Sequence, residues 1–272
     1  MDHYEELVAA ANFLKSHTSQ APQIAVVLGS GLHNFTQEID VVSEVEYSAI
    51  PHFPVSTVEG HHGRLLFGTI GAVPIVAMSG RFHYYEGYSS QQVVFPIRVL
   101  KMLGVDTLLL SNAAGGVHPS FKVGDLMIIK DHISFSVINP LLGVNDERLG
   151  KRFPDMSEPY SKALIAKMKL LARDHNIELK EGVYYGVTGP TFETRAEYGM
   201  IRLLGGDAVG MSTVQEVIAA VHSGMQVFAM SIITDIGIRE EENSITHAEV
   251  LEAANAAEPK FSALFRALIT TI

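Results

Sequence analysis

Five short apolar runs of strand character, each closing on small or polar residues, constrain this chain more than any other feature. The closings are Val27-Leu28-Gly29-Ser30-Gly31, Met78-Ser79-Gly80-Arg81-Phe82-His83, Leu110-Ser111-Asn112-Ala113-Ala114-Gly115-Gly116, Val209-Gly210-Met211-Ser212 and Ile233-Thr234-Asp235. In an open α/β sheet, ligands bind at the carboxyl ends of the strands, so five such endings imply one composite small-molecule site gathered from across the sequence. With 272 residues, 47% hydrophobic and 18% charged, the chain is long enough to bury a large core as one α/β domain spanning residues 1–272.

Charge and composition exclude several function classes. A formal net charge of −10 argues against gripping nucleic acid through its phosphates, which requires basic patches. The chain has no cysteine, hence no disulfide, thiolate nucleophile or sulfur-based zinc site. The acidic start Met1-Asp2-His3-Tyr4-Glu5-Glu6 lacks a basic region leading into an apolar stretch, and no later run approaches the roughly 18 apolar residues of a membrane helix. A cytoplasmic protein without membrane contact is expected.

Apolar spacing predicts a first helix from Tyr4 to Ser16, followed after Pro22 by a strand from Ile24 to Leu28. Further strands are predicted at Leu65 to Ile70, Pro74 to Met78, Thr107 to Ser111 and Leu126 to Asp131, and a helix from about Ser90 to Leu103. Ser89-Ser90-Gln91-Gln92, Thr194-Arg195-Ala196-Glu197, Ser212-Thr213-Val214-Gln215 and Thr246-His247-Ala248-Glu249 fit capping boxes. The last three stand just past segments with candidate ligand residues, and a helix amino terminus suits an anion such as phosphate. Residues from Ile133 to Pro159 lack periodicity and read as a long functional or interface loop. Thr246 to Ile272 reads as a long helix bent or broken at Pro259.

Familiar motifs fail. Gly29-Ser30-Gly31-Leu32-His33-Asn34 lacks the third glycine of a dinucleotide fingerprint and the lysine of a P-loop, which leaves a nicotinamide-dependent oxidoreductase resting on two glycines. Val214 replaces the closing glycine of a nucleophile elbow around Ser212. The twelve histidines include His61 and His62 but no pair with zinc-helix spacing, so no metal is expected. What remains is an anion site: Arg81 with its fork of donors, His83 two residues on and hence on the same face of an extended chain, hydroxyls of Ser30 and Ser212, and a backbone N–H of Asn112-Ala113 at a strand end. Each residue alone has a structural explanation; their repeated position at strand ends favours a site.

These segments resemble the trimeric class of purine nucleoside phosphorylases. Gly29-Ser30-Gly31-Leu32, Gly80-Arg81-Phe82-His83-Tyr84-Tyr85-Glu86-Gly87, Asn112-Ala113-Ala114-Gly115-Gly116, Gly189-Pro190-Thr191-Phe192-Glu193-Thr194 and Val209-Gly210-Met211-Ser212-Thr213-Val214 look like its motifs in order, supported by Asn145-Asp146-Glu147-Arg148 and His247. The resemblance implies one α/β domain with a central mixed, largely parallel sheet flanked by helices. It also implies phosphorolysis of purine ribonucleosides or deoxyribonucleosides to free base and sugar 1-phosphate, with inorganic phosphate as co-substrate and no cofactor. By similarity, Ser30, His61, Arg81, His83, Asn112, Ala113 and Ser212 would hold phosphate, with His61 on a loop that closes over it. Tyr85, Met211 and His247 would contact the ribose, and Glu86 would orient His83. Ala113, Phe192, Glu193, Val209 and Asp235 would surround the base. His83, Glu193, Asp235 and Arg81 would carry the catalysis. Phe153 matches an aromatic residue lent to a neighbouring subunit, which implies a homotrimer.

Asp235 departs from this pattern, since relatives that prefer inosine and guanosine usually carry asparagine there. An amide can donate to O6 and N7 of a 6-oxopurine, whereas an ionised carboxylate only accepts. Either Asp235 is protonated during reaction and serves N7, or it is ionised and accepts from the 6-amino group of adenine. The sister methylthioadenosine phosphorylases use aspartate in this region, but Gly237 replaces their second aspartate. The expectation is activity on 6-oxopurines with adenosine tolerated; a non-catalytic nucleoside-binding protein is the alternative from another class.

Overall fold

Ile24–Leu28 is apolar at all five positions and buried at all five, as a strand covered on both faces must be. The computed structural model describes residues 2–58, 62–238 and 245–272. This strand is β1; the others are β2 (Asp40–Glu46), β3 (Arg64–Ile70), β4 (Val73–Ser79), β5 (Thr107–Gly116), β6 (Leu126–Ile133), β7 (Leu179–Gly186), β8 (Ala208–Gly210) and β9 (Gln226–Ile236). The α-helices are α1 (His3–His17), α2 (Ser90–Met102), α3 (Lys162–Asp174), α4 (Arg195–Leu203), α5 (Val214–His222) and α6 (His247–Ile269).

The strands form one nine-stranded sheet in the order β2-β3-β4-β1-β5-β8-β7-β6-β9, and β9 returns to pair with β5, closing the second half on itself. Pairing is parallel for β1 with β4 and β5, β5 with β9, and β7 with β6 and β8. It is antiparallel for β3 with β2 and β4, β5 with β8, and β6 with β9. The sheet is therefore mixed and largely parallel, as expected. Helices α1, α2 and α5 pack together, while α6 lies on β9 and contacts α3.

Two features of the sheet create room for a site. β5 pairs with β1 only as far as Leu110 and with β8 only from Gly115, so residues 111–114 border neither neighbour on that edge. Along the β5–β9 ladder, Ala114 faces Ile233 but Gly115 faces Asp235, leaving Thr234 as an extra residue in β9. Such a bulge re-aims side chains locally, here at the point where the sheet opens.

Three expectations need correction. β5 does not end at Ser111 but runs to Gly116, so Asn112 and Ala113 lie within the strand, paired with β9 on one edge only. Of the bend or break expected at Pro259, the break is absent: α6 runs as one helix from His247 to Ile269. Pro259 lacks the N–H for one helical bond, but Ala257, Phe261, Leu264, Phe265 and Leu268 are buried on either side of it. Burial of about 1.5–3 kcal/mol per large apolar side chain outweighs a proline cost of about 3 kcal/mol. The Ser212 capping box does not form, for a reason rooted in the site. The boxes at Ser89, Thr194 and Thr246 do form, and residues 134–159 contain no helix or strand.

Candidate active site

All five strand closings meet in one cavity of about 340 Å³. Its wall includes Ser30, Arg81, His83, Asn112, Ala113 and Ser212 on the side expected to hold an anion. Phe192, Glu193, Val209 and Asp235 join Ala113 where the base was expected, and Tyr85, Met211 and His247 also line the cavity. His61 lies outside the described residues. Phe153 is not brought into this cavity; it is 85% exposed and borders a separate pocket beside Arg152 and His132.

Close backbone approach builds the anion side. A Cβ on Gly29 would lie 2.8 Å from the Ser111 carbonyl oxygen and 2.9 Å from Asn112 Cα, so only glycine lets the turn after β1 rest on β5. The Gly29 N–H donates to Ser111 Oγ at 3.2 Å, and Ser111 Oγ donates to the Val27 carbonyl at 3.0 Å. Ser30 is thereby set at the cavity wall.

Arg81 is 1% exposed and is gripped by Glu216 of α5, itself 3% exposed. Nε donates to Oε1 at 3.2 Å and Nη2 lies 3.1 Å from Oε2, a two-point carboxylate–guanidinium pair. Nη1 donates to the Ser111 carbonyl at 2.6 Å and to Ser212 Oγ at 3.3 Å. Sequence reasoning passed over Glu216, although a carboxylate inside the apolar run Val214 to Ala220 was the available signal: such a group is buried only when paired.

The same helix start explains the missing cap. Thr213, not Ser212, is the N-cap of α5 and adopts φ 71° and ψ −52°, with the Val214 N–H donating to the Ser212 carbonyl at 2.7 Å. This is a γ-turn of the rare positive-φ hand, strained for a β-branched residue. Asn112 Nδ2 donates to Thr213 Oγ1 at 2.8 Å, and Ser212 Oγ lies 3.1 Å from the same oxygen. The Ser212 hydroxyl therefore serves Arg81 and the cavity, and the amino terminus of α5 points its dipole there.

His83 is oriented by Glu86, whose Oε1 accepts from His83 Nδ1 at 3.0 Å and from the His83 N–H at 2.8 Å. Oε2 accepts from the Thr57 N–H at 2.8 Å and hydroxyl at 2.6 Å. Burial opposes ionisation of Glu86, but the hydrogen bonds from His83 and Thr57 outweigh it and hold the carboxyl at about 2. Burial lowers the His83 imidazole, with Glu86 opposing and Arg81 reinforcing the shift. Nδ1–H bonded to Glu86 leaves Nε2 as the second functional atom of a neutral ring. The Tyr85 ring stacks on His83 at 4.6 Å.

On the other side, Glu193 directly precedes Thr194, whose side chain caps α4. Burial raises the Glu193 pKa; its own backbone N–H and, less strongly, Tyr198 oppose this, and the Asp235 and Glu197 charges add to it. Thr234 Oγ1 donates to Asp235 Oδ1 at 3.1 Å. Consecutive strand residues normally face opposite sides, yet the β9 bulge lets Thr234 and Asp235 both line the cavity. Among the described residues there is no group of three or more His, Cys, Asp or Glu placed to hold a metal ion, and no helix long and apolar enough to cross a membrane.

Fold and cavity together define an α/β protein whose strand-end pocket carries the donors of Arg81, Ser30 and Ser212 as well as the carboxylates of Glu193 and Asp235. The chain belongs to the phosphorylase superfamily, whose family model matches residues 23–270. It is 51% identical over 260 residues to purine nucleoside phosphorylase 1 of Geobacillus stearothermophilus, covering 96% of this chain and 95% of the relative. Its fold superposes on Schistosoma mansoni purine nucleoside phosphorylase in complex with adenosine with a TM-score of 0.94 at 39% identity, covering 98% of this chain and 97% of the other. The schistosoma enzyme in complex with hypoxanthine gives 0.93 at 39% identity with the same coverage.

Proposed function

We propose that this chain, as one domain over residues 1–272, is a cytoplasmic purine nucleoside phosphorylase acting on inosine, guanosine and their deoxy forms, with adenosine tolerated. The observation that carries this reading is the single cavity in which Arg81, Ser212 and Ser30 stand on one wall and Glu193 and Asp235 on the other.

A phosphate oxygen attacks C1′ of the sugar as the C1′–N9 bond breaks; the bonding pair leaves with the base, and a proton at N7 completes the free purine. Phosphate is held by the Arg81 guanidinium, by His83 Nε2 accepting from a phosphate hydroxyl, by the Ser30 and Ser212 hydroxyls, by the unpaired edge of β5 at Asn112-Ala113, and by His61. Held beneath the sugar, it stabilises the positive charge developing there while positioning removes the entropic cost of meeting. Because Glu216 occupies two guanidinium nitrogens, Arg81 offers phosphate an edge and not its full fork. Tyr85, Met211 and His247 bind the ribose, His247 near the 5′-hydroxyl, and Phe153 is supplied by a neighbouring subunit of a homotrimer.

The purine lies between Phe192, Val209 and Ala113, with Glu193 accepting from its pyrimidine edge. Asp235 decides tolerance at C6: protonated it serves N7 of a 6-oxopurine, ionised it accepts from a 6-amino group. Relatives with this fold are known with adenosine and with hypoxanthine bound, which supports both occupancies. The test is release of free base from inosine, guanosine and adenosine with and without inorganic phosphate. Base and sugar 1-phosphate formed only with phosphate is the expected result; nucleoside binding without turnover would replace this reading by that of a binding protein.

A further inference from the structure

His247, Val250 and Ala254 follow one another on a single face of α6, at i, i+3 and i+7. The first two line the cavity, and Ala254 is fully buried. A Cβ on Gly31 would lie 2.5 Å from Ala254 Cβ and 3.3 Å from the Leu251 carbonyl oxygen, so a single methyl group separates α6 from the turn that carries Ser30. That turn is fixed from its other side, because Gly29 rests on the Ser111 carbonyl and Asn112 Cα of β5 and donates its N–H to Ser111 Oγ. The carboxyl-terminal half of α6 is fixed as well: the Phe261 ring lies 6.0 Å from that of Phe35, and the Phe265 ring 5.9 Å from that of Phe228. Between these anchors Pro259 lacks the N–H of one helical bond, which leaves the first turns of α6 as the part able to tilt.

We propose that Ala254 is the positioning residue for His247 and, through it, a determinant of selectivity for the nucleoside 5′-hydroxyl. The proposal rests on the phosphorolysis reading above, in which His247 meets that hydroxyl. The Ala254 methyl sets the closest approach of α6 to the Ser30 turn, and thereby the reach of His247, two turns away on the same face, into the cavity. A larger side chain at 254 meets a turn held by β5 and a helix half held by its phenylalanines. Closely packed interiors relieve such overpacking where they can move, here by lifting the first turns of α6. His247 is then withdrawn, while Arg81, His83 and Ser212, which line the cavity from other segments, keep their places.

The test compares the parent with Ala254→Val by kcat/KM for inosine and 5′-deoxyinosine, which differ only in the 5′-hydroxyl, and by KM for phosphate. In the variant the inosine-to-5′-deoxyinosine ratio falls about tenfold, as expected for one lost hydrogen bond, and KM for phosphate keeps its parent value. Ala256→Val places the same branched residue on the exposed side of α6 and leaves the ratio unmoved, which separates docking from helix propensity. In a His247→Ala background Ala254→Val no longer changes the ratio. Ala254→Ser, one atom larger than the parent, gives a smaller fall in the same direction and serves if the valine variant does not fold. An unchanged ratio, an equal fall in Ala256→Val or in the His247→Ala background, or a raised KM for phosphate with the ratio intact would overturn the assignment while leaving phosphorolysis standing. A parent that releases base from neither nucleoside with phosphate would overturn the underlying reading and this inference with it.

Discussion

Asp235, in the cavity wall, and Glu216, behind Arg81, show how differently two neighbouring carboxylates of one site behave. Glu216 spends both oxygens on Arg81 and aims the guanidinium. Asp235 accepts a bond from Thr234 and lines the cavity, where the base is proposed to lie. An ionised carboxylate opposes O6 and N7 of a 6-oxopurine, while asparagine donates to them. Asp235→Asn is therefore expected to raise kcat/KM for inosine relative to adenosine about tenfold, the scale of one well-placed buried hydrogen bond. An unchanged ratio between the two nucleosides would remove Asp235 from base choice. Thr213 carries the strain of this site: its positive φ is held by the Asn112 bond and turns Ser212 away from capping and toward Arg81.

At the scale of elements, helix amino termini bring side chains to the cavity. His247 is the first residue of α6 and lines the cavity, its helix start held by the Thr246 and Glu249 capping box. Thr246→Ala removes that cap at a cost of about 1 kcal/mol, which lowers Tm by about 2–4 °C in a chain of this size. The same fraying loosens His247, so KM for nucleoside is expected to rise more than kcat falls; a thermal melt and steady-state kinetics on one preparation check both. A Tm drop with unaltered KM would show that α6 holds the fold and not the ribose. The β9 bulge is the other decisive element, since it turns Asp235 into the cavity beside Thr234.

For the whole molecule, the long segment from 134 to 159 displays Phe135, Ile138, Leu142, Val144 and Phe153 to solvent, an apolar surface suited to a second copy of this chain. Sedimentation is expected to give a trimer, and Phe153→Ala is expected to raise KM for nucleoside several-fold while leaving KM for phosphate near the parent value. A monomer with full activity would remove Phe153 from the sugar pocket. Several strands were legible in the sequence because burial on both faces writes continuous apolar runs: the predicted Ile24 to Leu28 is β1 itself, β3 begins one residue before its predicted start, and β4 extends one residue at each end, whereas β2 and β7 were not foreseen. The gathering of Arg81, His83, Ser30 and Ser212 in one cavity was legible too, because they are chemically unusual at the ends of such runs. Glu216 and Thr213 were not, since their roles arise from residues far away in sequence: Glu216 faces Arg81 across 135 positions, and Thr213 meets Asn112 across 101. The order of the strands, the edge of β5 left open between β1 and β8, and the bulge that aims Asp235 likewise belong to the tertiary structure. Local pattern records what each segment buries, but which segments meet is settled only when all of them pack together.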